Sequence, residues 1–105
     1  MKLDTMINKG KRLDLEDLPT QLEAKIVSEE TKTDRFGREA LYITLQTKDN
    51  KQLTQKYTDF HQPDLALALL SYGYADTSDA NGKMLTWKLT KYRMGNPRLI
   101  PIPKK

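Results

Sequence analysis

Seven basic side chains and no acidic one occupy the stretch Lys83–Lys105: Lys83, Lys88, Lys91, Arg93, Arg98, Lys104 and Lys105. The rest of the chain is neutral or acidic, with eleven bases against eleven acids over residues 1–61 and three acids against no base over 62–82. The formal charge of +4 therefore divides into −3 and +7 from two adjacent segments. A one-sided field of this kind attracts polyanions and contributes little to folding. Trp87 and Tyr92 lie inside the basic tract, which bends through Met94-Gly95-Asn96-Pro97. Cations for phosphate, ring faces for bases and a tight Gly/Pro loop are the parts of a surface that holds nucleic acid.

A second basic bend lies some sixty residues upstream, at Lys32 and Asp34-Arg35-Phe36-Gly37-Arg38. Phe36 offers a ring for stacking, worth about 1–3 kcal/mol per base, and the arginines offer phosphate contacts. The same residues would also suit an ordinary hairpin tip, with Phe36 folded back and the arginines balanced by Asp34 and Glu39. Between the bends, Tyr42, Thr44 and Lys56 are expected on one outward sheet face, a stacking and phosphate platform or a plain set of cross-strand pairs. Trp87 keeps phase with Leu85 and Leu89 and is expected in the core. Tyr92 keeps phase with Lys88 and Thr90 and is expected to expose its ring. Tyr57 shares the face of Leu53, at the core or its rim.

Catalytic parts are scarce. There is no cysteine and one histidine, His61, so neither a thiolate or imidazole metal cluster nor a nucleophile–base pair has its components. His61 reads as a surface or capping residue ahead of Pro63. A metal-dependent hydrolase would need a carboxylate group such as Glu29, Glu30 and Asp34. Asp76, Ser78 and Asp79 lack the spacing and closing glutamate of an EF-hand, and Gly10-Lys11 lacks the flanks of a phosphate-binding loop. Neither an enzymatic activity nor a cofactor is expected.

The elements that must position these residues follow from hydrophobic period. Residues 1–19 read as a flexible arm with a helical scrap, ended by Pro19. Leu22, Ala24 and Ile26 alternate as a strand, and Val27 breaks the phase as a bulge would. Glu39–Lys48 alternates cleanly, with Leu41, Ile43 and Leu45 on one face; Leu53, Gln55 and Tyr57 mark a third strand. The period then changes to 3.6, with Pro63 and Asp64 at a helix start, Leu65, Ala68, Leu69 and Tyr72 along one stripe, and Gly73 as the stop. Leu67 and Leu70 widen that stripe, so the helix is expected to insert into the core. Strand four spans 83–93. Strand five, Arg98–Ile102, is confined to an edge or a barrel seam by its prolines.

The order β-β-β-α-β-β resembles the OB-fold, a five-stranded Greek-key barrel with a helix plugging one end. The likeness covers residues 17–102. More locally, Asp17-Leu18-Pro19, the stretch Gly73-Tyr74 through Asp76-Thr77-Ser78-Asp79 to Gly82-Lys83, and Gly95-Asn96-Pro97-Arg98 look similar to small OB-fold proteins of viral and archaeal type. That resemblance implies single-strand binding across strands two and three, between the loops joining strands one to two and four to five.

Length and composition fit one domain: 105 residues, 37% hydrophobic and 30% charged, with residues 20–102 as the barrel and 103–105 as a basic tail. No apolar run approaches the ~20 residues that span a bilayer, and 1–19 lack the apolar stretch of a secretory signal, so a cytoplasmic location is expected. The expected partner is single-stranded DNA, ahead of RNA, bound without strong sequence preference. Its site would comprise Lys32, Arg35, Phe36, Arg38, Tyr42, Thr44, Lys56, Lys88, Lys91, Tyr92, Arg93 and Arg98. The alternative is an adaptor whose barrel docks a partner protein in a replication or viral assembly. Neither a membrane role nor an oligomeric state is indicated.

Overall fold

Alternation governs the centre of the sheet. Along Glu39–Thr47 the side chains of Leu41, Ile43 and Leu45 are buried while Tyr42, Thr44 and Gln46 are half-exposed, the period of two that a strand with one covered face imposes. The structure, a computed structural model, describes residues 2–7, 15–92 and 97–104, with backbone only for 15–20. Its elements are α1 (Leu3–Ile7), β1 (Leu15–Thr33), β2 (Glu39–Thr47), β3 (Gln52–Tyr57), α2 (Gln62–Leu70), β4 (Leu85–Tyr92) and β5 (Arg98–Pro101), with a 3-10 turn at Thr77–Ala80.

The five strands form one antiparallel sheet in the order β3-β2-β1-β4-β5. β1 is long enough to serve both halves: Ala24 pairs with Thr47 of β2 on one side and with Leu85 of β4 on the other. Its register shifts twice, between Ile26 and Ser28 and between Asp17 and Gln21. The first shift is the break at Val27 that the sequence pattern indicates. The second contains Pro19, which has no N–H to give to a ladder.

The expected closed barrel is corrected by this topology. β3 and β5 are the sheet edges and share no backbone ladder. β5 has only four residues, ends on Pro101 and is followed by Pro103, so it has few donors to offer a second neighbour. Side chains bridge the seam instead. Gln55 Oε1 accepts from the Leu99 N–H at 3.1 Å, the Tyr57 hydroxyl donates to the Leu99 carbonyl, and Arg98 Nε donates to the Lys56 carbonyl. Tyr57 is thus a core residue with a structural hydroxyl, and burial pushes its phenol far up from the ordinary 10.0.

The N-terminal stretch read as an arm contributes to the fold. Leu3 and Met6 of α1 are fully buried in the core cluster with Leu65, Ala66 and Leu69 of α2, and β1 starts at Leu15, five residues earlier than its alternation indicates. Two buried apolar residues in a five-residue helix are too short a pattern for periodicity to reveal. Conversely, Leu67 and Leu70 are not inserted: they are 41% and 37% exposed on the outer side of α2. The helix buries its first turn and its Leu65–Leu69 face only, and Gly73, at φ +85°, turns the chain beyond its end. Among the described residues no helix is long and apolar enough to cross a membrane.

His61 precedes α2, but it is buried and its ring turns backwards: Nδ1 accepts from the Thr58 N–H at 3.1 Å, with the Thr58 hydroxyl 3.0 Å away. The expectation of a surface or capping role is therefore overturned. Burial, reinforced by the charges of Arg98 and Lys56, lowers its pKa from 6.5 to about 4. The unfolded chain binds this proton more readily, so the His61 contribution to stability is present above pH 6.5 and is lost as pH falls from 6.5 towards 4. Replacing His61 by Asn keeps an acceptor for the Thr58 N–H and removes the titration. Chemical denaturation between pH 7 and 4 will show a flatter stability curve for that variant; a parallel curve would assign the loss to other groups. The carboxylates of Asp34, Asp49 and Asp76, all held below 3.8, act in a lower window.

Candidate nucleic-acid interface

Asp34 builds the β1–β2 turn. Its Oδ1 accepts from the backbone N–H groups of Phe36 (2.9 Å) and Arg38 (3.0 Å), while its own N–H donates to the Arg38 carbonyl at 2.7 Å. Gly37 then takes φ +77° and donates to the Asp34 carbonyl at 3.0 Å. A short acidic side chain that satisfies backbone donors two and four residues ahead, followed by glycine, is the chemistry of a self-organised tip. The Arg38 N–H foremost, then those of Phe36 and Lys56 against the opposing effect of burial, hold the Asp34 carboxyl below its ordinary value.

The tip presents the ring of Phe36, which is 69% exposed, with the Arg35 guanidinium 4.8 Å from its centroid. Phe36 therefore does not fold back on the sheet. Among the described residues no carboxylate engages Arg35 or Arg38, since Asp34 is committed to backbone and to Lys56. A second cation–ring pair stands on the adjoining sheet face, where Lys32 Nζ lies 5.3 Å from the Tyr42 centroid and 3.3 Å from Glu30. Tyr42 pairs across the ladder with Lys56 on one side and Glu30 on the other. Contacts of this type are attractive through the ring quadrupole and leave one ring face for another planar group.

Lys56 joins the β1–β2 turn to the start of β5. Its Nζ lies 3.3 Å from Asp34 Oδ2 at the β1–β2 turn, and its carbonyl accepts from Arg98 at the start of β5. The chain entering β5 and the Asp34 turn thus meet at one residue of β3. The remainder of the β4–β5 bend, Arg93 through Asn96, lies outside the described residues, and so does the site role of Arg93.

No protein-family model matches this chain, and no match is found among curated proteins or solved structures.

The other expected site residues are placed differently. Tyr92 is corrected outright: it is 2% exposed, stands edge-on to His61 at 4.6 Å and donates its hydroxyl to Asp64 Oδ2 at 3.2 Å. The cause is a covering element and not the strand's own phase. β4 keeps an unbroken register with β5 from Trp87 to Thr90, so Tyr92 stays on the face of Thr90, and that face is covered at this end by His61 and Asp64 while Lys91 is exposed. Thr44 exchanges a hydroxyl hydrogen bond with Thr54 at 2.9 Å, a cross-strand pair. Arg98 is half-buried and donates to the carbonyls of Lys56 and Pro97, as a seam bridge. Lys88 and Lys91 belong to the other half of the sheet, opposite Gln21 and Glu16. Trp87 is fully buried, as its phase indicates.

The carboxylates considered for metal are dispersed among different partners: Glu29 accepts from Thr77, Glu30 meets Lys32, and Asp34 meets Lys56. Among the described residues no group of three or more metal-ligating side chains is found. Asp76 and Asp79 form a reciprocal cap on the 3-10 turn, and the Ser78 N–H lowers Asp76 from 3.8 to about 2. Asp34 itself was absent from the expected site. The signal for it was present in Asp34-Arg35-Phe36-Gly37, where an acid three residues before glycine marks a turn that its own side chain closes.

Proposed function

We propose that this chain binds single-stranded nucleic acid, as an OB-like barrel opened along its β3–β5 seam. The strand order supports the fold part of this reading: joining β3 to β5 would give the cyclic order of that barrel, with α2 in the expected place between strands three and four. The observation that carries the function is the hairpin tip, where a solvent-facing Phe36 under Arg35 stands beside Arg38, with Lys32 and Tyr42 on the adjoining face. Phe36 and Tyr42 stack bases, and Arg35, Arg38 and Lys32 meet phosphates. Stacking on a ring accepts every base, so the binding, to DNA ahead of RNA, is tolerant of sequence.

The test is fluorescence-anisotropy titration of labelled oligothymidylate over a range of salt. Contacts to three or four phosphates correspond to a log–log salt slope of about −2 to −3 for a single strand. A salt-independent constant, or no binding at low salt, would reject the reading. A second reading, docking of a partner protein, is favoured by Leu67 and Leu70 on the outer side of α2 and by Phe60 just ahead of it, each more than a third exposed. Under that reading oligothymidylate gives no signal, and replacing Leu67 and Leu70 by Ser abolishes the partner's binding.

A further inference from the structure

We infer that Asp34 and phosphate compete for Lys56, so that the Asp34–Lys56 ion pair restrains the interface of the free protein; this rests on the nucleic-acid reading above. The two oxygens of Asp34 have separate tasks. Oδ1 organises the tip through Phe36 and Arg38, and Oδ2 holds Lys56, 22 residues away on β3. Lys56 sits directly opposite Tyr42 in the ladder, so its ammonium group belongs beside the ring that stacks a base. Its side chain is 32% exposed and that of Asp34 only 8%, so solvent-borne phosphate reaches the lysine more readily than the carboxylate. An oligonucleotide phosphate offers Lys56 the same charge-assisted bond that Asp34 gives it, and the pair opens as the strand is laid down. Asp34 is thus a positioning residue for Phe36 and a competitor for Lys56 at once.

Because the tasks fall on different atoms, substitution separates them. Asp34→Asn keeps a carbonyl oxygen for the two backbone N–H groups and turns an uncharged amide towards Lys56. Binding of oligothymidylate to the intact chain is measured for wild type, Asp34→Asn, Lys56→Met and the double variant, each checked by thermal melting. Asp34→Asn binds about fivefold more tightly near 0.1 M salt with an unchanged slope, since Lys56 meets phosphate in both complexes and only the variant has no ion pair to open. In the Lys56→Met background the same substitution gives no gain. Should Asp34→Asn bind no tighter than wild type, or should its gain persist without Lys56 as bare charge removal would dictate, the competition is overturned while the interface stands. Silence from both wild type and Asp34→Asn at low salt overturns the interface and the competition with it. If Asn at this position does not fold, Asp34→Ser serves in its place, since a hydroxyl still accepts from the turn.

Discussion

Arg35→Glu combined with Arg38→Glu lowers the affinity for oligothymidylate by about 100-fold near 0.1 M salt and makes its salt dependence shallower by about 1.4, two phosphates' worth at about 0.7 each. Each lost contact accounts for about fivefold at that salt, and the repulsion of two introduced carboxylates adds a comparable factor. The fold is expected to tolerate the change. Both side chains are exposed, neither is held by a carboxylate among the described residues, and the turn is organised by Asp34 and Gly37 through backbone groups. Melting temperature should therefore stay within the small shifts typical of surface substitutions. A variant that melts like the wild type and binds equally well would remove the hairpin tip from the interface, and with it the observation on which the functional reading stands.

The largest effect on stability is expected at Trp87. Its indole is fully buried and donates from Nε1 to the Ala24 carbonyl at 3.0 Å. Ala24 is where β1 passes from one partner strand to the other, pairing with both Thr47 and Leu85, so the indole pins the turning point of the longest strand. Truncating a buried tryptophan to alanine costs about 3–5 kcal/mol. A native domain commonly has only about 5–15 kcal/mol in total. Trp87→Ala is expected to be largely unfolded at 25 °C by circular dichroism. Trp87→Phe keeps most of the apolar volume and removes the indole donor to the Ala24 carbonyl, a loss of about 0.5–1.5 kcal/mol, so it should fold with a lowered denaturation midpoint. Equal stability of the Phe variant and the wild type would show that the hydrogen bond contributes nothing beyond packing.

How far the sequence discloses this architecture depends on the range of the physics involved. Leu41, Ile43 and Leu45 declare β2 because burial of one sheet face acts on every second residue. Val27 declares its register shift because it interrupts that rhythm. Asp34 and Gly37 declare the turn because their chemistry is satisfied within five residues. Tyr92 misleads for the opposite reason. The face it occupies is covered by His61 and Asp64 at the start of α2, and no window around β4 contains that information. The partners of Lys56 and Arg98 are equally non-local: one is held by Asp34 and the other bridges the seam.

The chain's own order of residues determined the β-rich class, the placement of the helix between strands three and four, the charged and aromatic content of the first bend, and the burial of Trp87. These follow from local period, turn chemistry and side-chain size. Tertiary structure alone decided that the sheet stays open between β3 and β5, that α1 completes the core, that Tyr92 is buried, and that the β1–β2 turn and the start of β5 meet at Lys56. Those outcomes depend on which distant backbone donors and acceptors find partners once β1 has bent, a constraint that exists only when the whole sheet is assembled.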